Sequence, residues 1–592
     1  MTNILGLSFF YHDSAAALVQ DGLLVAAGEE ERFSRKKHDH GFPTLAIDFC
    51  LAKAGITKKD IDYVVFYEKP FVKLERILLS SMATFPRSMS VFRESMLTWL
   101  TDKLWIKSMM KEKLGNRPQQ DPLRRSPHVA RGGELLLLAV RGVGDPHGRR
   151  RGRVDHRHPR LRQAEPHHDH PRDALPALDR DCCIRRSPHS CGFEVNEGEY
   201  KLMGMAPYGK PKYVEKIKQV IQIAEDGSLW HDMSYFAYHW SPESTLAKRF
   251  EEVFGKPRDP ARADKHMDEY YADIAASIQV VTEEILITMA KHLKKTTGMK
   301  NICISGGVGL NCVANWKVLL ASGFERMYVQ PAAGDDGAAV GAAFWAWNDL
   351  AWQQKALRHG ARLLGLRVPD SRVHDFVKTL GPGSGAKWEE LSEDKAIDRT
   401  VDYLTRGSVC GWFDGRFEWG PRALGARSII ADPTRNDMKD IVNAKIKFRE
   451  AFRPFAPSAL MEKVGDYFEL PNAADHYPAR FMLYVVPVKG DKLPAITHVD
   501  GTGRVQGVMK EHAPRYHRLI ERFGQASGVP VILNTSFNLK GEPIVETPAN
   551  AFNTFMKSGM DALILGRYVV TKTDTSTVAK STTVSMAATG AK

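Results

Sequence analysis

The stretch NICISGGVGLNCVANWKVLLASGFERMYVQPAAGDDG, residues 301–337, decides the fold of the first half of this 592-residue chain. It predicts a strand at 301–304, a glycine turn, a helix at 312–320, a strand at 326–329 and an alanine-rich helix from Gly337. Because glycine lacks a Cβ, Gly306 and Gly307 let backbone N–H groups approach a phosphate or a ribose, next to the positive end of a helix dipole. With Asn311 at the helix start, the turn predicts a nucleotide site, although such turns also close α/β units that bind no nucleotide.

A second turn, Gly334-Asp335-Asp336-Gly337, places two carboxylates at the start of another helix. The positive end of the helix dipole stabilises a carboxylate there, so both aspartates are candidate helix caps. A carboxylate at this position can also hold a cation. The stretch therefore leaves two interpretations of Asp335 open, a cap or a metal ligand.

The N-terminal residues predict a β-hairpin. Two short apolar runs are followed by an Asp21-Gly22 turn and a third run. His12 and Asp13 lie in the polar turn between the first two runs. Such an opening is typical of the actin, hexokinase and Hsp70 class of nucleotide-binding folds. His12 is a candidate catalytic residue for proton transfer, oriented by Asp13, and a structural histidine at a hairpin turn is the alternative.

Length and composition indicate the class of protein. A chain of 592 residues predicts two or three domains, and 43% hydrophobic residues is typical of globular proteins. No apolar run approaches the roughly 20 residues that a membrane span needs, and the N-terminus enters a strand without a basic and apolar leader. Seven cysteines without Cys-x-x-Cys spacing favour free thiols. We therefore expect a cytoplasmic protein without a membrane partner.

The charge cluster EEERFSRKKH, residues 29–38, directly follows the hairpin. On composition alone, such a cluster is typical of a solvated loop, which is the simpler interpretation.

Residues 117–191 differ in composition from the rest of the chain. They hold 16 Arg, 9 Pro and 8 of the 21 His, but no Phe, Tyr, Trp, Thr, Met, Asn or Lys. Sixteen arginines minus nine acidic residues give +7 of the net +13, so the basic charge is a poor indication of a nucleic-acid partner. A segment without aromatic residues cannot build an ordinary core. It could be an arginine-rich nucleic-acid arm or a histidine-rich metal tract at residues 167–170.

A third and favoured interpretation is that residues 117–191 are frameshifted and not native-like. Permitted codons for residues 120–137, read one nucleotide out of frame, allow SRILFAAHHMSHAAASSF. Similar shifts allow ILTVDGVGEWTTA over 145–158 and LLYSAFT over 181–188. The first of these peptides holds His-x-x-x-His, which places two imidazoles one helical turn apart, a spacing for a divalent metal.

Two motifs in the last third of the chain predict an anion site. DGRFEWGPRALGARS, residues 414–428, contains Arg422, and Lys447 and Arg453 follow among prolines and aromatic residues. Arginine forks match phosphate oxygens and lysine adds a point charge, whereas the alternative is a solvated basic face. PVILNTSFNLKGEP, residues 530–543, predicts a strand ending in hydroxyl and amide side chains, which can hydrogen-bond a carbamoyl group or phosphate.

With these motifs, the sequence resembles the nodulation-type O-carbamoyltransferases. The resemblance is also carried by YHDSA at 11–15, ERF at 31–33, NEGEYK at 196–201, SGGV at 305–308 and GDDG at 334–337. It implies an α/β protein with an actin-like ATPase (ASKHA) N-terminal domain, similar to tRNA threonylcarbamoyl transferases, followed by a YrdC-like α/β C-terminal domain. We place these domains at 1–350 and 368–570, with a linker at 351–367. The Thr, Ser and Ala-rich tail at 571–592 is predicted to be disordered.

The resemblance implies roles for single residues. Matches to carbamoyl phosphate contacts are Arg422, Lys447, Arg453 and Ser536. Lys37 matches a residue that meets phosphate. Asp335 matches a ligand of a divalent metal, for which the resemblance favours iron, together with two histidines of a His-His-x-x-x-His-Ala motif. Those histidines and the family's Val-Asp-Gly-Val-Gly motif are absent from the written sequence and return only in the shifted frame.

The resemblance implies an enzyme that uses carbamoyl phosphate and ATP to carbamoylate a hydroxyl of a small molecule or oligosaccharide, without nucleic acid. No motif specifies the acceptor, the metal or the oligomeric state. The C-terminal domain would form carbamoyl adenylate and the N-terminal domain would transfer its carbamoyl group. The alternatives are a sugar kinase of the actin-like class and a catalytically impaired nucleotide-binding protein.

Overall fold

A computed structural model of the chain describes residues 1–68, 70–115, 136–140, 189–263, 267–350, 368–450 and 452–573. The chain forms two compact units. Unit 1 comprises Met1–Glu30, His38–Ala361 and His476–Pro478, and unit 2 comprises Glu31–Lys37, Arg362–Asp475 and Ala479–Lys592. The predicted linker, most of the frameshift candidate and nearly all of the predicted tail lie outside the described residues.

Unit 1 combines strands and helices. Its strands are β1 (Asn3–Ser8), β2 (Ala15–Gln20), β3 (Leu23–Glu29), β4 (Tyr63–Phe66), β5 (Leu136–Val140), β6 (Ile221–Ile223), β7 (Leu229–His231), β8 (Asn301–Ser305) and β9 (Arg326–Val329). The chain passes between the units in α1 (Glu30–Ser34). The other helices are α2 (Thr44–Ala54), α3 (Pro70–Ala83), α4 (Met89–Thr101), α5 (Ile106–Leu114), α6 (Glu199–Met205), α7 (Val214–Val220), α8 (Lys248–Phe254), α9 (Pro260–Ala263), α10 (Glu269–Thr297), α11 (Cys312–Ser322) and α12 (Gly337–Leu350).

The N-terminal sheet has the strand order β3-β2-β1-β4. β1 pairs antiparallel with β2 and parallel with β4. β2 pairs antiparallel with β3 across the Asp21-Gly22 turn, which confirms the predicted hairpin. Helix α12 lies directly on this sheet at Gly6. A Cβ on Gly6 would lie 2.0 Å from the Ala339 carbonyl oxygen and 2.9 Å from the Ala343 nitrogen. Strand and helix therefore meet backbone to backbone at this position.

A second sheet, with the order β5-β8-β9, carries the glycine turns. β8, α11, β9 and α12 confirm the elements predicted from residues 301–337. After β8 the chain turns at Gly306, whose φ of 103° is readily adopted only by glycine. The Gly306 N–H donates to the Ala333 carbonyl at 2.9 Å, so a hydrogen bond joins the two predicted turns.

The first part of the charge cluster that precedes α2 is not a solvated loop, so that interpretation is wrong there, whereas Lys36 and Lys37 are exposed. Residues 29–32 are buried. The Glu30 carboxylate accepts a hydrogen bond from the Ala46 N–H at 2.8 Å, and the Arg32 guanidinium donates to the Gly420 carbonyl at 2.7 Å. These charged side chains bind backbone groups inside the protein. The density of charges in the sequence does not indicate such burial.

Unit 2 is built on one mixed sheet. Its strands are β10 (Ala386–Glu390), β11 (Cys410–Phe413), β12 (Arg427–Ala431), β13 (Ala456–Leu460), β14 (Val486–Pro487), β15 (Thr502–Gly503), β16 (Gln506–Val508), β17 (Val531–Ser536), β18 (Ala562–Leu565) and β19 (Tyr568–Lys572). Its helices are α13 (Asp370–Lys378), α14 (Glu393–Thr405), α15 (Met438–Val442), α16 (Val464–Tyr467), α17 (Pro514–Ser527) and α18 (Pro548–Met556). The order in the large sheet is β10-β19-β18-β11-β12-β17-β13-β16.

The core of unit 2 lies between this sheet and the helices α14 and α17. Trp412, Ile430, Leu519, Phe523 and Ile564 are fully buried in one apolar cluster. Burying such large side chains removes apolar surface from water, which is the main favourable term in folding. The cluster holds the ends of β12 and β17 in place.

We expect Gly6→Ala to lower the free energy of unfolding of unit 1 by about 1–3 kcal/mol, because the new methyl group overlaps the backbone of α12. The matched control is Gly341→Ala on the same helix, where an added Cβ meets open space. That change should stabilise the protein by about 0.5–1 kcal/mol. Urea unfolding measures both, and a Gly6→Ala protein as stable as the wild type would contradict the close contact.

Candidate functional site

Two imidazoles and two carboxylates form a hydrogen-bonded chain in unit 1. His12 Nδ1 lies 2.8 Å from Asp13 Oδ2, and His38 Nδ1 lies 2.9 Å from Asp13 Oδ1. His38 Nε2 lies 2.8 Å from Glu197 Oε1. The rings of His12 and His38 are 4.2 Å apart. We call these four residues the His–Asp–His–Glu chain.

The carboxylate of Asp13, at the centre of this chain, determines which nitrogen of each imidazole carries a proton. Burial would raise the pKa of Asp13, but hydrogen bonds from His12 and His38 outweigh burial and hold the pKa well below its ordinary value. An ionised carboxylate only accepts, so Nδ1 of each imidazole donates. In neutral His12, Nε2 is then the acceptor atom, as a general base requires.

The structure places the predicted pair His12 and Asp13 together and adds two residues that sequence reasoning missed. His38 ends the charge cluster, and Glu197 lies in the acidic run before α6. Neither has a spacing from His12 that indicates proximity in the fold. The available signal was that both side chains, an imidazole and a carboxylate, lie in polar parts of the sequence.

The residues present can be compared with the ligand set of the predicted metal site. Within the part of the chain that the structure describes, His12, Asp13 and His38 place possible ligand atoms within 4.8 Å of one another. The predicted ligand Asp335 does not belong to this group. Its two expected histidine partners are absent from the sequence. The residues present therefore do not fit a metal held by Asp335 and a His-x-x-x-His pair.

Asp335 and Asp336 are both buried in the turn before α12. The Asp335 carbonyl accepts a hydrogen bond from the Ser8 hydroxyl at 2.7 Å, which ties this turn to the end of β1. Burial, followed by the charges of Glu29 and Asp13, raises the pKa of Asp336 well above its ordinary value. The turn is thus a buried acidic region close to the His–Asp–His–Glu chain.

The predicted nucleotide residues of unit 1 share one turn. Gly307 has open space where a Cβ would lie, so a ligand can approach its backbone. The Asn311 side chain accepts from the Ala314 N–H at 3.0 Å as a helix cap and donates to Gln279 Oε1 at 3.0 Å. Both atoms of this amide already have protein partners. A nucleotide role for Gly306, Gly307 and Asn311 remains a prediction.

Lys447 is the most deeply buried of the predicted anion contacts in unit 2. Its side chain ends a π-helical turn and is 6% exposed. The ammonium donates to the Ser536 carbonyl at 2.5 Å and to the Asn538 carbonyl and Oδ1 at 3.0 and 3.1 Å. Ser536 Oγ, also predicted, lies 3.3 Å from the ammonium. The structure therefore joins two predicted contacts and adds Asn538.

The surroundings of Lys447 favour a negatively charged ligand. Its four hydrogen-bond partners are uncharged oxygens. Burial, and then the charges of Arg449 and Arg453, lower its pKa well below the ordinary value, while Glu542 acts in the opposite direction. A buried ammonium near two guanidinium groups is stabilised when an anion binds beside it.

The loop that carries Arg422 is held from within by two buried charged residues. Glu418 Oε1 accepts from the N–H groups of Leu424, Ala426 and Arg427 at 2.7, 2.8 and 3.1 Å. The Arg427 guanidinium donates to the Asp414 carbonyl at 2.8 Å, and burial lowers its pKa to about 10. These contacts fix the backbone on which Arg422 sits half-buried.

Two further predicted phosphate contacts have carboxylate partners. Arg453 Nη1 lies 3.3 Å from Glu450 Oε2. Lys37 Nζ lies 3.5 Å from Glu31 Oε2 and is 36% exposed. Both cations are thus partly neutralised within unit 2, and their roles remain predictions.

Comparison with known protein families gives two matches. The model described as the carbamoyltransferase N-terminus matches residues 3–130 and 186–344, and the model described as the carbamoyltransferase C-terminus matches residues 401–572. Residues 131–185 fall outside both matches. Lys447, Ser536 and Arg422 lie within the second match.

Two similar proteins match nearly the whole chain, and a third matches about half of it. A Synechocystis protein without an assigned function is 40% identical, over 97% of each chain. The nodulation protein NolNO of Sinorhizobium fredii is 33% identical, over 95% of this chain and 79% of its own. A 3'-hydroxymethylcephem-O-carbamoyltransferase of Amycolatopsis lactamdurans is 31% identical, over 53% of this chain and 56% of its own. Across the described residues, no helix has the length and apolar character to cross a membrane.

We expect Asp13→Asn to lower the free energy of unfolding of unit 1 by about 1–3 kcal/mol at pH 7, because two charge-assisted hydrogen bonds weaken. The pKa of Asp13 is lowered in the folded protein, so its stabilisation is present above the unfolded value of about 4 and is lost as pH falls below it. Urea unfolding should show the same difference from the wild type at pH 7 and 5, and a smaller difference at pH 3.5. Asp48→Asn, at an exposed aspartate, is the control. A difference that stays constant with pH would contradict this account.

Proposed function

Because the chain belongs to the carbamoyltransferase family, we propose that it makes carbamoyl adenylate from carbamoyl phosphate and ATP and transfers the carbamoyl group to a hydroxyl. The acceptor is a sugar or another hydroxylated natural product. Among the relatives, the cephem enzyme is named for a hydroxymethyl acceptor. The family match favours carbamoyl transfer over the sugar-kinase alternative, since both domains of a carbamoyltransferase match. Unit 1 would be the actin-like domain and unit 2 the YrdC-like domain.

The observation that carries the proposal is the buried ammonium of Lys447 beside Arg449 and Arg453. Carbamoyl phosphate and ATP are polyanions, and clustered cations in a site with little water stabilise the charge that develops when phosphates leave. Arg422, Arg453 and Ser536 would complete these contacts. Ser536 and Asn538 supply hydroxyl and amide groups that can hydrogen-bond the carbamoyl group.

The first half-reaction would take place in unit 2. Water cleaves carbamoyl phosphate to carbamate and phosphate, and a carbamate oxygen then attacks the α-phosphorus of ATP. A P–O bond forms, the bond to pyrophosphate breaks, and carbamoyl adenylate and pyrophosphate result. Lys447 and Arg422 would offset the charge on the phosphates during both steps.

The second half-reaction would take place in unit 1, where Gly306, Gly307 and Asn311 are our candidates for nucleotide contacts. Lys37, in the segment Glu31–Lys37 of unit 2, is a further candidate for a phosphate contact. His12 Nε2 would take the proton of the acceptor hydroxyl while Asp13 stabilises the imidazolium through Nδ1. The hydroxyl oxygen attacks the carbamoyl carbon, and AMP leaves. The ligand set for iron or another metal is incomplete in this sequence, so these steps depend on the side chains named above.

A catalytically impaired nucleotide-binding protein is the second candidate. It is favoured by the absence of the family's histidine motif from residues 117–191. Resequencing the gene across codons 115–195 separates the two candidates. A restored frame with His-His-x-x-x-His-Ala favours the enzyme, and an unchanged arginine-rich frame favours the impaired protein.

Exchange of labelled pyrophosphate into ATP tests the first half-reaction. We expect exchange that requires carbamoyl phosphate and that falls about 100-fold in Arg422→Ala and in Lys447→Ala, because each loses a cation at the phosphates. Lys463→Ala is the control, since this lysine is 53% exposed and pairs with Asp466. Circular dichroism checks that each variant folds. Unchanged exchange in both Arg422→Ala and Lys447→Ala would contradict the proposal.

His12→Asn tests the second half-reaction. In the gene with the restored frame, we expect this change to reduce carbamoyl transfer by about 100-fold or more while exchange is unaffected, because only transfer needs the base. His292→Asn, at a histidine on α10 outside the His–Asp–His–Glu chain, is the control. Equal loss of exchange and transfer in His12→Asn would contradict a role confined to unit 1.

A further inference from the structure

The segment Glu31–Lys37 belongs to unit 2, although it lies near the N-terminus and the rest of that unit begins at Arg362. Its first two residues, Glu31 and Arg32, are buried. We call residues 31–37 the inserted segment. Unit 2 therefore contains a short piece of sequence whose neighbours on both sides in the chain belong to unit 1.

The inserted segment contacts the loop that carries Arg422. The Arg32 guanidinium, which is 1% exposed, donates to the Gly420 carbonyl at 2.7 Å. Gly420 has a φ of 100° and lies two residues before Arg422 in the sequence. The ring of Phe33 packs edge-to-face on the ring of Phe417, with ring centres 5.9 Å apart. Two side chains of the inserted segment therefore fix the part of the loop that precedes Arg422.

The inserted segment also contacts the loop after β17. The Arg35 guanidinium donates to the Ile544 carbonyl at 2.6 Å and to the Pro543 carbonyl at 2.8 Å. Because the guanidinium is planar and rigid, two bonds from it set both the position and the direction of this backbone. Burial lowers the pKa of Arg35, and the charge of Glu542 acts in the opposite direction. Arg35 therefore anchors the backbone directly after Glu542.

A chain of hydrogen bonds continues from this loop to Lys447. The Asn538 amide donates to the Glu542 carbonyl at 2.7 Å, and its Oδ1 accepts from the Ser536 hydroxyl at 2.6 Å. The same Oδ1 accepts from the Lys447 ammonium at 3.1 Å. The position of the backbone at 542–544 thus determines where the hydroxyl and amide groups around Lys447 lie.

We propose that Arg32 and Arg35 are positioning residues of the anion site in unit 2, so that this site is complete only with the inserted segment. Arg32 sets the loop of Arg422, and Arg35 sets the loop of Ser536 and Asn538. Both guanidinium groups bind backbone carbonyls, so they act on the anion through these loops. The inference rests on the proposed function for the reaction at this site. It makes formation of carbamoyl adenylate dependent on a segment from the N-terminal part of the chain.

Arg35→Lys in the full chain tests this inference. Lysine keeps the positive charge but lacks the planar fork that binds two carbonyls in fixed directions. We expect pyrophosphate exchange to fall about tenfold or more, because small displacements of positioned groups are costly in rate. The assay is run well below the midpoint of thermal unfolding, so that loss of folded protein does not contribute. Arg522→Lys, which also weakens a bond to a backbone carbonyl, that of Asp394, should leave exchange unchanged.

Isothermal titration with inorganic pyrophosphate measures the anion site without catalysis. Wild type and Arg522→Lys should bind pyrophosphate equally, and Arg35→Lys about tenfold more weakly, because its loops are less well preorganised. A residue with a purely structural role would change stability and leave this affinity unchanged. Arg32→Lys should weaken pyrophosphate binding in the same way. Circular dichroism checks folding, and Arg35→Lys alone decides if the variant at the more deeply buried Arg32 does not fold.

The two measurements separate this inference from the proposed function. Equal pyrophosphate affinity in Arg35→Lys and wild type would overturn the inference and leave the proposed function intact. Weaker binding by Arg35→Lys, with no exchange that requires carbamoyl phosphate in the wild type, would support the positioning role and contradict the proposed function. Absence of pyrophosphate binding to the wild type would overturn the inference.

Discussion

The close contact between β1 and α12 determines where the candidate site of unit 1 forms. Gly6 permits it, since a Cβ there would lie 2.0 Å from the Ala339 carbonyl oxygen. The contact places the turn before α12 against the end of β1, where Ser8 donates to the Asp335 carbonyl. His12 and Asp13 leave the same end of β1. The glycine-dependent packing therefore brings the acidic turn and the His–Asp–His–Glu chain together.

Unit 2 contains buried charges of two kinds. Arg427 is fully buried, its guanidinium binds backbone carbonyls and lies 3.6 Å from the centre of the Phe413 ring, and the charges of Glu418, Glu546 and Asp414 favour its charged form. Lys447 is held by uncharged oxygens, while burial and then two guanidinium groups lower its pKa. Retaining a buried cation near like charges costs stability unless an anion binds. Under the proposed function, Arg427 would therefore hold the fold and Lys447 would bind the anionic substrate.

Local elements were predictable from the sequence because they depend on neighbours in the chain. The strand, turn and helix from Asn301 onwards follow from glycine positions and apolar periodicity, and the structure confirms them. The burial of part of the cluster at residues 29–38 was not predictable, because Arg32 binds the carbonyl of Gly420, which is 388 residues away. His38 and Glu197 were missed for the same reason: their proximity to Asp13 depends on tertiary packing. In unit 2, Lys447 and Ser536 are 89 residues apart in the sequence, so their contact likewise depends on tertiary packing.

The arginine-rich segment, residues 117–191, belongs to one of the two units and therefore concerns only one of the two proposed half-reactions. Unit 2 contains none of residues 117–191, and its sheet and apolar cluster form from residues after 385. Unit 1 contains the whole segment, and within it residues 136–140 pair antiparallel with β8, the strand that leads into the glycine turn. The family match omits 131–185, where the composition also lacks aromatic residues. The cation cluster of unit 2 contains no residue of this segment, so under the proposed function the first half-reaction can be measured independently of it.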